Sequence, residues 1–209
     1  MLQGQALQDL FVTTILKQKR NGVFVEIGSN HPITHNNTYV LESVYNWKGL
    51  MVEYDREFER LYKHVRPNSI YVIQDARTVP YREILDTNRF PANIDYLQID
   101  LDVDNKSTLD TLLLLDSSVF DAYKFATVTF EHDIYRGNFY NTRELSRGIF
   151  ERRGYELVFP DVAVFWQGKN SPFEDWYVHP ELVDMELVNK LRSDKSLTAE
   201  ELKIQLSLP

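Results

Sequence analysis

The sequence of 209 residues contains no cysteine, which excludes disulfide staples, thiolate zinc sites, iron-sulfur ligation and a cysteine nucleophile. No apolar stretch approaches the roughly 20 residues that a membrane-spanning helix needs. The first residues also lack the order of a signal peptide, because the basic cluster Lys17, Lys19 and Arg20 follows the apolar residues instead of preceding them. Basic residues are in deficit: 23 Lys and Arg stand against 31 Asp and Glu, a net charge of -8. Broad attachment to a phosphate backbone or an anionic lipid surface is therefore disfavoured. The expectation is a soluble, cytoplasmic protein with neither nucleic acid nor membrane as its main partner, and with a homo-oligomer left open. No internal repeat, low-complexity tract or Gly/Ser linker marks a boundary, so the chain reads as a single domain, 1-209.

What is present is a supply of core residues, 43% hydrophobic with 12 Phe, 12 Tyr and 3 Trp. Short, nearly continuous apolar runs recur at Val23 to Ile27, Leu50 to Val52, Ile70 to Ile73, Ile94 to Ile99 and Phe125 to Phe130. Runs of that length, rich in β-branched and aromatic residues, are what strands covered on both faces look like. Between them lie helical spacings: Leu41, Val44 and Tyr45; Phe58, Leu61, Tyr62 and Val65; Leu109, Leu112 and Leu113. Ser107-Thr108-Leu109-Asp110 has the pattern of a capping box, and Gly154 is placed to close a helix carrying Leu145, Ile149 and Phe150. Alternating strands and helices wind by right-handed crossovers into an open, mostly parallel α/β sheet. The ending differs: Tyr155 to Phe159 and Val162 to Trp166 flank Pro160-Asp161, a turn too short for a crossover, and are expected to form an antiparallel hairpin. Helices are expected over about 5-19, and in a tail over about 180-209 that includes Glu181 to Leu191 and a segment opened by Thr198.

In an open α/β sheet the ligand crevice lies at the carboxyl ends of the strands. Those ends read Glu26-Ile27-Gly28-Ser29-Asn30, Glu53-Tyr54-Asp55, Gln74-Asp75-Ala76, Asp100-Leu101-Asp102 and Glu131-His132-Asp133, with a carboxylate at every one. Any single acid there is as readily a helix cap as a ligand contact. Glu53 follows Gly28 by 25 residues, close to the spacing at which an acid after the second strand accepts ribose hydroxyls. A dinucleotide fingerprint needs glycine at the first, third and sixth positions, but Asn30 and Ile33 occupy the last two. No Lys or Arg lies between Gly22 and Lys48 to offset phosphate charge. A nucleoside ligand without phosphates fits better, and S-adenosylmethionine, with its cationic ammonium and sulfonium, suits an acidic rim.

The segments VFVEIGSN (23-30), Asn36-Asn37-Thr38-Tyr39 and Trp47-Lys48-Gly49-Leu50-Met51-Val52-Glu53 resemble the FkbM-type branch of the class I S-adenosylmethionine-dependent methyltransferases. Gln8 to Val12 resembles that branch's opening helix, and Ile94 to Asp100 its fourth-strand signature. The resemblance runs from about Gln8 to Phe165. It implies a Rossmann-like three-layer sandwich, with S-adenosylmethionine as cofactor and a sugar, glycan or related small hydroxyl compound as acceptor. It further implies that Glu26, Gly28 and Ser29 line the methionine part, that Glu53 takes the ribose hydroxyls, that Asp75 and Ala76 meet the adenine edge, and that Asp100 lies beside the methyl-donor end. Asn30, Thr38 and Tyr54 complete the expected cofactor set. Two departures stand out: His31-Pro32 replaces an acid or polar residue followed by Gly, and Asp100-Leu101-Asp102-Val103 replaces an acid followed by a glycine.

Methyl transfer needs an oriented acceptor and a base to take its proton. His132, following the fifth strand, is the leading base, with Asp102 as second catalytic residue; imidazole exchanges protons near neutrality. His31 is placed to border the pocket, whereas His35, His64 and His179 lack comparable placement. Asp100, Asp102, Glu131 and His132 form a candidate ligand set for Mg2+ or another divalent cation. Arg136 and Arg143 are candidate acceptor contacts, and Trp176 is a candidate stacking surface for a sugar ring. Two other functions compete: a nicotinamide-dependent oxidoreductase, which retains the ribose acid, and a non-catalytic binding module on the same scaffold.

Overall fold

The computed structural model describes residues 2-207; positions 1, 208 and 209, the ends of the expected domain and tail, lie outside the described residues. The chain runs α1 (Gln8–Ile15), β1 (Val23–Ile27), α2 (Tyr39–Tyr45), β2 (Lys48–Glu53), α3 (Glu59–Val65), β3 (Ile70–Ile73), α4 (Tyr81–Thr87), β4 (Asn93–Ile99), α5 (Ser107–Ser118), β5 (Lys124–Glu131), α6 (Tyr140–Arg152), β6 (Glu156–Trp166), β7 (Lys169–Val178), α7 (Met185–Leu191) and α8 (Ala199–Gln205). The strands form one seven-stranded sheet in the order β3-β2-β1-β4-β5-β7-β6. β1 to β5 pair in parallel, and β7 runs antiparallel between β5 and β6. No helix among the described residues is long and apolar enough to cross a membrane.

Side-chain alternation makes the layers. Phe24, Met51, Tyr96 and Trp176 project into a core shared with Phe11, Leu41, Tyr62, Val188 and Leu202, on the side of α1, α2, α3, α7 and α8. Their neighbours Val25, Leu50, Leu97, Val128 and Tyr177 project the other way, against Leu85, Leu112, Leu115 and Phe150 from α4, α5 and α6. Because both faces are covered, the strands carry continuous apolar runs, which is why the sequence announces them so clearly.

Several local expectations change. The hairpin turn is Gln167-Gly168, both at positive φ as a two-residue turn demands, so its arms are β6 and β7. Pro160-Asp161 instead sits inside β6 as an irregularity. Register shifts surround it, since Pro160 has no N–H for the ladder and Asp161 turns left-handed at φ 53. The aromatic and acidic run Phe173 to Tyr177 is thus strand β7, in the interior of the sheet. α5 starts without its expected capping box: its N-cap is Lys106 at φ 64, with no side-chain cap bond, and Thr108 Oγ1 donates to the Leu101 carbonyl. α1 is shorter than expected, and α7 starts only at Met185, where Asp184 caps it. Two terminators behave as the sequence indicates. Gly154 ends α6 in a Schellman motif, its N–H on the Glu151 carbonyl and that of Tyr155 on Phe150. Thr198 and Glu201 form a reciprocal capping box on α8.

Phe11 ties α1 to the hairpin: it stacks on Trp176 at 4.7 Å and meets Phe159 edge-on at 5.9 Å. All three rings are buried. Phe11→Ala is expected to lower unfolding stability by about 3 kcal/mol or more, measured as a shift in denaturant midpoint at unchanged slope.

Candidate functional site

Strand order reverses between β1 and β4, and a cavity of about 720 Å³ opens there at the carboxyl ends of the strands. Its centre is the junction of Gly28 with Asp100. The Gly28 N–H donates to the Val52 carbonyl at 2.9 Å, and the Asp100 N–H to Ile27 at 2.9 Å. Gly28 adopts φ 85, and a Cβ there would overlap the carbonyl oxygen of Asp100. Only glycine permits this closeness.

Gly28, Asn30, Glu53, Tyr54, Asp75, Ala76 and Asp100 line the cavity, as do Asp102, Glu131 and Arg136. Glu53 is fixed by backbone: Oε2 accepts from Asn30 N at 2.6 Å, and Oε1 from Tyr54 N and Asp55 N, each at 2.8 Å. A carboxylate retains further lone pairs after such bonds, so Glu53 is both a loop brace and an oriented acceptor. Asp75 is gripped by Arg77 (Nε–Oδ1 3.0 Å, Nη2–Oδ2 2.6 Å), which holds its carboxyl below the usual range. Tyr54 is 75% exposed at the rim, an aromatic face without a covering partner.

Glu26, Ser29 and Thr38 are absent from the wall. They stand behind it, around Arg66, which is 1% exposed. Arg66 donates to Glu42 at 2.9 Å, to Asn36 Oδ1 at 2.9 Å and to Thr38 Oγ1 at 2.7 Å. Thr38 in turn donates to Glu26 Oε2 at 2.8 Å, and Asn36 Nδ2 to the same oxygen at 3.1 Å. Burial holds the Glu26 carboxyl above its ordinary value, with the Arg66 charge opposing. This network fixes the loop between β1 and α2 from beneath, and Glu26 and Thr38 hold that loop from outside the cavity wall.

Four expectations are corrected. His132 is fully buried and does not line the cavity. Glu131 and His132 are successive residues and project to opposite faces; His132 lies toward α6, 3.4 Å from Asp161 Oδ1 and 3.6 Å from Asp175 Oδ1. It therefore cannot reach an acceptor as base, nor complete a metal set with Asp100, Asp102 and Glu131. Among the described residues, the metal-capable grouping is His132, Asp161 and Asp175, and guanidinium groups already occupy its carboxylates. Arg147 binds Asp175 at 2.7 and 2.8 Å, and Arg143 binds Asp161 at 3.0 and 3.1 Å. That pairing also removes Arg143 from the acceptor contacts. Trp176 is fully buried against Phe11, so no ring face is free for a sugar. Sequence reasoning missed Gln5, His35 and Asn105, which line the cavity from loops, and Ser107, which does so from the first turn of α5. His35 sits at φ 53, and no periodicity signals such a placement.

No model of a known protein family matches the sequence, and no curated protein matches it. Solved structures do. A TehB-like S-adenosylmethionine-dependent methyltransferase from Corynebacterium glutamicum superposes with a TM-score of 0.51 at 15% identity, over 82% of this chain and 87% of that one. A candidate rRNA methylase from Clostridium thermocellum does so with a TM-score of 0.51 at 9% identity, over 85% of this chain and 98% of that one. The chain shares its fold with these two structures. At these identities the likeness is one of architecture, and the chemistry has to be argued from the cavity itself.

Burial alone pushes the His132 imidazole down, but the carboxylates of Asp161 and Asp175 outweigh it and hold its pKa above the ordinary 6.5. A raised folded value means that the charged form stabilises the fold below the unfolded pKa, and that this stabilisation is lost as pH rises through the folded value. The stability of the wild type over His132→Gln is expected to be greatest below about pH 6.5 and to shrink at higher pH, followed by denaturant unfolding across pH.

Proposed function

We propose that the protein is an S-adenosylmethionine-dependent methyltransferase of the FkbM type, a single-domain enzyme that methylates a hydroxyl of a sugar, glycan or related small acceptor. The observation that carries the reading is the Gly28–Asp100 junction: a glycine-only approach of β1 to β4 at the floor of a cavity lined by carboxylates. These residues fit a cationic nucleoside and lack the glycines that a pyrophosphate requires, since Asn30 and Ile33 replace them. Glu53 would take the ribose hydroxyls, Asp75 and Ala76 the adenine edge, and Tyr54 would pack against the ligand at the rim. Gly28, Asn30 and Asp100 would enclose the methionine part.

When bound, the cofactor supplies a methyl group already activated by its positive sulfur. The chain then has to hold an acceptor hydroxyl in line and accept its proton. Asp102, exposed on the cavity wall after β4, is the residue to which this reading gives the proton. No step is assigned to a divalent ion, because His132, one of the four ligands expected for it, lies against Asp161 and Asp175 instead. The net charge of -8 weighs against a phosphate backbone as acceptor.

Calorimetry with S-adenosylhomocysteine and, separately, with NAD tests the cofactor. Preference for the former supports the reading, and preference for the dinucleotide, or binding of neither, overturns it. Glu53→Ala is expected to weaken S-adenosylhomocysteine binding by roughly 1 to 3 kcal/mol, since the ribose hydroxyls would lose their acceptor. Asp102→Asn is expected to slow methyl transfer to a monosaccharide panel about 100-fold at unchanged cofactor affinity; an unchanged rate removes Asp102 as base.

A further inference from the structure

The end of β5 carries a group that the proposed reaction does not use. Glu131 is 6% exposed, yet it lines the cavity. Among the described residues, no N–H donor bonds its carboxyl; its hydrogen-bond partners are other carboxyls, Asp100 and Asp133. Burial raises the pKa of both Glu131 and Asp100, and the Asp100 charge raises Glu131 further. A buried carboxyl whose only partners are other carboxyls lacks a counter-charge, which is costly, and this one lines the cavity.

Its place in the sheet says which part of a ligand it would meet. Asp75 follows β3 and Glu53 ends β2, so a nucleoside held there reaches β4 after three strand spacings, about 14 Å. β5 lies one strand beyond β4, on the acceptor side of Asp100. The charge on that side is one-signed. Besides His35, the basic residues that line the cavity are Arg77 and Arg136, and both are already paired with other carboxylates, Arg77 with Asp75 and Arg136 with Asp133 at 2.8 Å and Asp104 at 3.7 Å. A phosphorylated or carboxylated acceptor would meet net repulsion. A bare divalent ion needs oxygens converging on one point, and Asp100, Asp102 and Glu131 form no such group. An organic ammonium suits them, because its separate N–H donors can bridge the paired carboxyls of Asp100 and Glu131.

We infer that the acceptor carries an ammonium group beside the hydroxyl to be methylated, and that Glu131 and Asp100 hold it: the substrate is an amino sugar or a similar polyhydroxylated amine. This deepens the methyltransferase reading and rests on it. Glu131 is a specificity residue here, and Asp100 serves both halves of the cavity.

The test uses the full chain saturated with S-adenosylhomocysteine, titrated with glucosamine and with N-acetylglucosamine, which keeps the ring and loses the charge. Glucosamine is expected to bind about tenfold or more tightly, and Glu131→Gln is expected to abolish that preference while S-adenosylhomocysteine affinity stays at the wild-type value. Equal binding of the two sugars, binding of neither, or a preference that survives Glu131→Gln overturns the inference. So does a Glu131-dependent uptake of Mg2+ that excludes glucosamine. Failure of S-adenosylhomocysteine to bind the wild type overturns the methyltransferase reading instead, so the two failures are separable.

Discussion

The close passage of Gly28 beneath the carbonyl of Asp100 is the constraint on which the site depends. It occurs where the sheet changes direction, between β1 and β4, and it brings the loops after these two strands together while leaving space above them. A side chain at position 28 would force β1 from β4 and close that space. The buried ion pair of Arg66 with Glu42, extended through Asn36 and Thr38 to Glu26, supports the same loop from behind. A buried guanidinium is tolerated only when fully bonded, so the network also restricts the loop to one arrangement.

Carboxylates dominate the strand ends, and the fold divides them between two tasks. Asp161 and Asp175 face α6, where Arg143, Arg147 and His132 neutralise them; Asp175 also accepts the Asp161 N–H at 2.8 Å and so closes the irregularity in β6. Glu174, one residue away, faces the opposite side and receives Gln8 Nε2 at 2.7 Å, tying α1 to β7. Glu53, Asp75, Asp100, Asp102 and Glu131 remain around the cavity. The acidic character visible in the composition is thus partly structural and partly available to a ligand.

Much of the architecture was legible because both faces of the sheet are covered. Val23 to Ile27 and Ile70 to Ile73 are strands with the boundaries their apolar runs suggest, and Gly154 and Thr198 stop and start helices by local hydrogen bonding that needs no tertiary partner. Pro160-Asp161 misled because a turn signal and a strand irregularity use the same residues: both accommodate a residue without an N–H and a left-handed residue. Only the partner strand decides between them, and β7 continues past the irregularity to Gln167-Gly168.

The sequence by itself determined the alternation of strands and helices, the glycine at position 28, and the presence of an acid at each strand end, because these depend on local conformation and on spacing along the chain. Tertiary structure decided which of those acids line the cavity. Glu131 and His132 are adjacent in sequence, but the pleat sends one into the cavity and the other into a buried ion network, and His35 reaches the cavity from a loop with no periodicity. Trp176 was decided in the same way: the aromatic ring that composition offers to a sugar is covered on one face by Phe11, a contact between residues 165 positions apart, which only packing can make.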